Sequence, residues 1–154
     1  MKTAYQIDDT DKKILGHLIK NARTPFLEIA RDCGISGAAI HQRVKKLEDL
    51  GVITGSKFTV RPAAIGYDIC AFIGVFLERA SLYDVVVKTI KGINEVVECH
   101  YTTGQYAIFL KIHCKDNQHL MDILVNTIQN IEGVSRTESF ISLEQIIERE
   151  IQVN

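Results

Sequence analysis

No tryptophan occurs in the 154 residues, and no apolar run approaches the ~18 residues that a membrane-spanning helix needs. The opening MKTAYQIDDTDKK lacks the apolar core of a secretory signal. A cytoplasmic location without a membrane partner is therefore expected. Four cysteines, Cys33, Cys70, Cys99 and Cys114, stand far apart with no CxxC pair. That spacing argues against a disulfide framework or a zinc knuckle and suits reduced, mostly buried thiols. GxSxG, P-loop and GxGxxG motifs are absent, and no nucleophile can be matched to a base. The chain is read as no enzyme, with no catalytic residue, cofactor or metal.

The net charge of −1 hides a division. Residues 1–60 carry ten Lys/Arg against seven Asp/Glu, whereas residues 61–154 carry eight against twelve. A basic module that meets an anion and a second module that does not would share the charge in this way. The acidic run Asp8-Asp9-Thr10-Asp11 suits the positive end of a first helix, whose apolar stripe is Ile14, Leu15, Leu18 and Ile19. Thr24 is expected as the N-cap of a second helix with Pro25 at its first position. Gly34 permits a tight turn, and Ser36 caps a third helix running to Leu50.

That third helix has two characters. Ile40, Val44, Leu47 and Leu50 make one apolar side, while Ser36, Ala38, His41, Gln42 and Lys45 lie on the other. Three helices with a short Gly-containing turn before the last describe a helix-turn-helix. Its last helix would enter the major groove of double-stranded DNA, with small residues allowing close approach. His41 and Gln42 suit base edges. Arg43, Lys45 and Lys46 suit phosphates, with Arg23 and Lys57 as additions. Thr54–Val60 is β-branched and is expected as a small strand or wing.

Arg61-Pro62 to Gly66-Tyr67 breaks the pattern and marks a linker. Residues 1–58 are thus expected as the helix-turn-helix domain, 59–67 as the linker and 68–154 as a second domain. Strands are expected at Ile69–Leu77, Val96–Thr102, Ala107–His113 and from Gly133-Val134 to near Leu143. Helices capped by Ser81 and Asn117 fall between them. The order β-α-β-β-α-β is ferredoxin-like, so the whole chain is read as α+β. The first strand is apolar on both faces, with Ala71, Ile73, Val75 and Leu77 on one and Cys70, Phe72 and Phe76 on the other. Helices cover one face only, and a second copy of the sheet is the expected cover for the other. The competing cover is the segment Glu144–Asn154, which has little apolar surface.

Cys99-His100 and His113-Cys114 suggest a metal site, but a hairpin centred near Gly104 sets Cys99 opposite residues near Phe109 or Leu110. The hairpin itself, Tyr101-Thr102-Thr103-Gly104-Gln105-Tyr106, gathers hydroxyls, amides and two rings that suit a small zwitterion. Composition alone favours a plain turn there.

Taken in order, these segments resemble the Lrp/AsnC (leucine- and asparagine-responsive, feast/famine) transcriptional regulators. The likeness rests on Ile7-Asp8…Asp11…Ile14-Leu15, Asn21-Ala22-Arg23, Glu28-Ile29-Ala30…Gly34-Ile35-Ser36 and Val44…Leu47-Glu48…Gly51-Val52-Ile53-Thr54-Gly55. It continues through Pro62…Ile65-Gly66-Tyr67, Thr102-Thr103-Gly104 and Thr137-Glu138-Ser139-Phe140-Ile141-Ser142-Leu143. GYDICAFIGVFL, YTTGQY and TESFISL bring it nearest the asparagine-responsive branch. The resemblance implies a winged-type helix-turn-helix, a ligand-sensing ferredoxin-like domain, and homodimers that assemble into octamers. It implies an amino-acid effector, asparagine or another, between dimers. By position, Tyr101, Thr102, Thr103, Gly104, Gln105 and Tyr106 would line that site, with Gln129, Thr137 and Ser139 added from neighbouring segments. Ala107 stands where many members of the family carry an Asp. An enzyme or regulatory subunit on the same fold, or an effector-free architectural DNA binder, are the alternative readings.

Overall fold

The computed structural model describes residues 6–153. The chain divides into two compact units. One is Thr59–Ile146; the other reaches to Phe58 and takes in the residues from Ile147 onward, which the sequence reading placed with the sheet domain.

The first unit holds three helices, α1 (Asp9–Lys20), α2 (Phe26–Cys33) and α3 (Gly37–Asp49). A reciprocal capping box starts α1: the Asp11 N–H donates to Asp8 Oδ1 at 2.8 Å and the Asp8 N–H to Asp11 Oδ2 at 3.3 Å. Thr24 does not cap α2. Its hydroxyl turns back to the Asn21 carbonyl at 2.8 Å, and Pro25 is itself the uncapped boundary residue. Gly34 turns the chain with φ 67°, and Ser36 Oγ accepts the Ala39 N–H at 3.1 Å to start α3. Ile14, Ile29, Ala30, Ile40 and Val44 form the buried core, with Leu18, Phe26, Ile35 and Ile53 packed against it. The expected wing strand is absent: residues 54–60 have no regular secondary structure. A strand exists only through a hydrogen-bonded neighbour, and among the described residues no strand pairs with that segment.

The second unit begins with a 3-10 turn, Pro62–Ile65, closed by Gly66 at φ 85°. Then follow β1 (Ile69–Leu77), a 3-10 turn (Ala80–Leu82), α4 (Tyr83–Ile90), β2 (Val96–Tyr101) and β3 (Ile108–Cys114). Helix α5 (Asn117–Asp122) continues as a wider π-helical turn (Ile123–Ile128), and β4 (Val134–Ile141) ends the sheet. Two caps differ from expectation. The chain enters α4 from the 3-10 turn, so Ser81 caps nothing. Asp116, one residue before Asn117, accepts the His119 N–H at 2.8 Å and starts α5.

The sheet order is β2-β3-β1-β4, antiparallel throughout. Ala71, Ile73, Val75, Ile108, Leu110, Ile112 and Cys114 pack beneath Val86, Ile90, Leu120, Ile123 and Ile128 in one core. Burial pushes the Cys114 thiol up to about 11, so it stays neutral. All four cysteines are free thiols, and Cys99 is exposed rather than buried. Among the described residues no helix is long and apolar enough to cross a membrane.

Strand register fixes which side chains share a face. Ile73 lies opposite Leu110 on one side and Ser139 on the other, all facing the helices. Cys70, Phe72, Gly74 and Phe76 face away from them, level with Phe109, Glu138 and Phe140. This second face holds a row of rings. Phe72 stacks on Phe109 at 5.9 Å between centroids, Tyr106 lies 5.8 Å from Phe109 and 5.1 Å from Phe76, and Phe140 lies 6.4 Å from Tyr106. Ile146, Ile147 and Ile151, in the terminal segment considered as a cover, are themselves exposed.

Candidate functional site

Helix α3 presents a sharply divided surface. Ile40, Val44 and Leu47 are buried, while Ser36, Ala38, His41, Gln42, Lys45 and Lys46 are exposed. The buried stripe holds the helix in place and leaves the polar row outward. His41 sits edge-on against the Phe26 ring with centroids 4.4 Å apart, which orients the imidazole. Lys45 lies 3.9 Å from Asp49 across one exposed turn, a pair that water screens heavily. Gln42 and Lys46 border a shallow depression of about 300 Å³ that also touches Asp8, Ala39 and Arg43. Arg23 stacks over the exposed Phe58 ring at 4.6 Å, and Lys57 is exposed one residue earlier.

Arg43 has a different place from its neighbours. Its Nη1 donates to Asp8 Oδ2 and to Asp11 Oδ1, both at 2.7 Å. The Asp11 side chain is 1% exposed and that of Arg43 33%. The guanidinium beside Asp8, together with the Asp11 N–H, holds the Asp8 carboxyl below the usual carboxylate range. The two acids in turn push the Arg43 pKa up. Arg43 therefore pins α3 to the start of α1, and its charge is already committed to two carboxylates. Helical spacing carried the signal for this. Arg43 lies three residues after Ile40 and four before Leu47, on the inward side, and Asp11 lies three residues before Ile14.

At the β2–β3 hairpin the expected ligand-binding residues separate. The Thr102 N–H donates to the Ala107 carbonyl at 3.1 Å, and the Thr102 hydroxyl donates to the Tyr106 carbonyl. That hydroxyl therefore serves to close the loop. Thr103, Gly104 and Gln105 are exposed at its tip. Tyr101 packs on Tyr83 of α4 at 4.6 Å, on the helix side of the sheet. Gln129 Nε2 donates to Thr137 Oγ1 at 2.9 Å, and Thr137 and Ser139 share that helix side. Tyr106 crosses to the other face. Its ring lies over Gly74, where a Cβ would stand 2.6 Å from Tyr106 Cε1. Its hydroxyl donates to Glu138 Oε2 at 2.7 Å, which pushes the phenol pKa up and keeps it a donor.

Sequence reasoning missed Gly74 and Glu138. A glycine inside the apolar run ICAFIGVFL was the available signal, since it marks a close approach; Glu138 gave none. An open depression of about 550 Å³ lies at the other end of the β2–β3 ladder, lined in part by Asn94, Glu95, His119 and Asp122. None of the hairpin residues borders it. Cys99 pairs with Leu110 in the ladder, and His113 with Cys70. Among the described residues no group of three or more His, Cys, Asp or Glu is placed to hold a metal ion.

A capped reading helix in one unit and a ferredoxin-like sheet with an open face in the other define a DNA-binding regulator with a sensing domain. Residues 7–54 match a winged helix-turn-helix DNA-binding family, and residues 70–151 match the Lrp/AsnC ligand binding domain. The regulatory protein AsnC of Haemophilus influenzae is 42% identical over 96% of this chain and 99% of its own. The structure of E. coli AsnC superposes with a TM-score of 0.92 at 40% identity, covering 96% of this chain and 99% of that one. A feast or famine regulatory protein from M. tuberculosis, complexed with L-methionine, gives a TM-score of 0.90 at 27% identity, covering 97% and 100%. The chain belongs to the Lrp/AsnC family of transcriptional regulators and stands near its AsnC members. The relatives carry the names of regulatory proteins and HTH-type transcriptional regulators rather than of enzymes.

Replacing Arg43 with Ala removes the guanidinium that donates to the buried Asp11 carboxylate. Urea unfolding is expected to show a loss of about 1–3 kcal/mol. Asp8 adds a pH signature. Because its folded pKa is depressed, its contribution is present above the unfolded carboxylate value and is lost as pH falls through the lower folded value. The wild type should therefore lose more of its pH 7 stability below pH ~4 than Arg43→Ala does, so that the gap between the two narrows as the solution is acidified.

Proposed function

We propose that this regulator works as an amino-acid-responsive dimer in the cytoplasm, with dimers assembling further into octamers. The open sheet face carries the proposal. Phe72, Phe76, Tyr106, Phe109 and Phe140 line one side of a sheet whose helices all lie on the other. Each such ring is worth about 1.5–3 kcal/mol when fully buried. A second copy of the same face offers a matching set of rings, which makes an isologous pair.

Pairing then places two α3 helices in one molecule, as a reader of two DNA half-sites requires. Ser36, Ala38, His41 and Gln42 face the bases, and Lys45, Lys46, Arg23 and Lys57 face phosphates. Arg43 leaves this set, because its charge is spent on Asp8 and Asp11.

The effector is an amino acid, asparagine or another. It sits against the 101–106 hairpin, with Gln129, Thr137 and Ser139 nearby. The exposed amides and hydroxyl at the loop tip suit its carboxylate, and the M. tuberculosis relative complexed with L-methionine supports the ligand class. An amino acid held between dimers favours one assembly over another by its difference in affinity for the two.

A thermal scan with each of the twenty amino acids tests the effector. A ligand at about 100 times its Kd adds about 2.7 kcal/mol to apparent stability. At least one amino acid should raise Tm by several degrees; no shift with any of them would sink the effector reading. DNA reading has its own test. His41, Gln42 and Lys45 changed together to Ala should cut affinity for the preferred site at least about tenfold and lower the salt slope by about 0.9 for the lost phosphate contact. An unchanged affinity would remove α3 as the reader.

A further inference from the structure

Glu138 and Arg136 have no part in the effector contacts proposed above, yet they join one effector residue to the open sheet face. Tyr106 is the one residue of the hairpin set whose ring lies on that face. Its hydroxyl donates to one oxygen of Glu138 at 2.7 Å. The other oxygen of Glu138 takes Arg136 Nη1 at 2.9 Å. The Arg136 guanidinium carbon stands 3.7 Å above the Phe76 ring, and Phe76 meets the Tyr106 ring edge-on at 5.1 Å. The four side chains close a ring of contacts. The backbone at Tyr106 is tied to the same unit, because the Thr102 hydroxyl holds its carbonyl and the Ala107 N–H donates to Val75 at 3.1 Å. Gly74 leaves room for the Tyr106 ring against the strand, so a shift of the backbone at Tyr106 moves that ring.

The worth of this cluster depends on what covers it. Arg136 and Glu138 are 58% and 38% exposed in a single chain, where water screens their attraction. Under a second sheet they lose that water. Their pairing and the phenol bond then become strong, and the loss of either partner becomes costly. The contact is thus weak in one copy and strong in two.

We infer that the Tyr106–Glu138–Arg136 cluster links effector occupancy at the 102–106 hairpin to the face-to-face pairing of two copies, with Glu138 and Arg136 as positioning residues. This rests on the reading that an amino acid binds at the hairpin and that a second copy covers the sheet. Whatever the effector does to the loop reaches the paired face through the Tyr106 hydroxyl, and pairing acts back on the effector to the same degree.

The test uses the full chain with L-asparagine and L-methionine as probes. Calorimetry gives the affinity for each, and sedimentation gives subunit association with and without it. In the wild type at least one of the two should bind and change association by about fivefold or more. Glu138→Ala should bind that amino acid within about threefold of wild type, while the change in association falls below about twofold. Glu138→Gln keeps an oxygen that can accept from the phenol and should restore more than half of the effect. A merely structural role would lower Tm and shift association alike with and without amino acid, leaving their ratio untouched. Wild-type linkage in Glu138→Ala overturns the inference. So does loss of amino-acid affinity in that variant, which would make Glu138 a contact residue, or failure of Glu138→Gln to restore linkage. Binding without linkage in the wild type overturns it as well. If the wild type binds neither, the amino acid that raises Tm in the scan of twenty takes their place, and an empty scan removes the effector reading and the link with it.

Discussion

β1 is apolar on both faces, and the helices of its own unit cover one of them. Ala71, Ile73 and Val75 disappear beneath α4 and α5. Cys70, Phe72 and Phe76 lie on the other face, where Phe72 stacks on Phe109 and Phe76 meets Tyr106. Other features of the second unit follow from this imbalance. Gly74 is small so that Tyr106 can lie across the strand. Arg136 and Glu138 stand among rings, where a lone charge would be costly, and they answer each other. This open face of rings is the basis of the proposed pairing with a second copy.

The first unit has the opposite character. It is small, its core rests on a handful of Ile and Val side chains, and a half-buried ion pair fixes its reading helix. Arg43 illustrates a division of labour among the cations of α3. Arg43, on the inward edge of the helix, finds carboxylates of its own fold, whereas Lys45 and Lys46 lie exposed on the outward edge. Removing Arg43 would loosen the pose of α3 against α1.

Much of the fold was legible in the sequence because hydrophobic periodicity is strong here. The run ICAFIGVFL gave β1 with both bounds as observed, and Ser36 and Gly34 gave the start and the turn of α3. Caps were less legible where two neighbours competed. Asp116 captures the amide that Asn117 was assigned, Thr24 turns back to Asn21, and α4 starts from a 3-10 turn that needs no side-chain cap. The wing could not be read from residue type. Thr54–Val60 has strand composition, but pairing is a property of two segments, and the described residues supply one. At the hairpin the residue types were visible, yet their division between two faces was not. Glu138 carries no local pattern, and only the register of β4 against β1 brings it to Tyr106.

The central claim is that pairing through the sheet domain makes one reader of two α3 helices. Helical phasing tests it most directly. The preferred site is selected from random duplexes, and its two halves are then separated by an added ~5 bp or ~10 bp, about half a turn and a full turn of DNA. A paired reader should lose at least about tenfold in affinity at the half turn and recover most of it at the full turn. Equal affinity at all three spacings would show that each helix reads alone and would contradict the account.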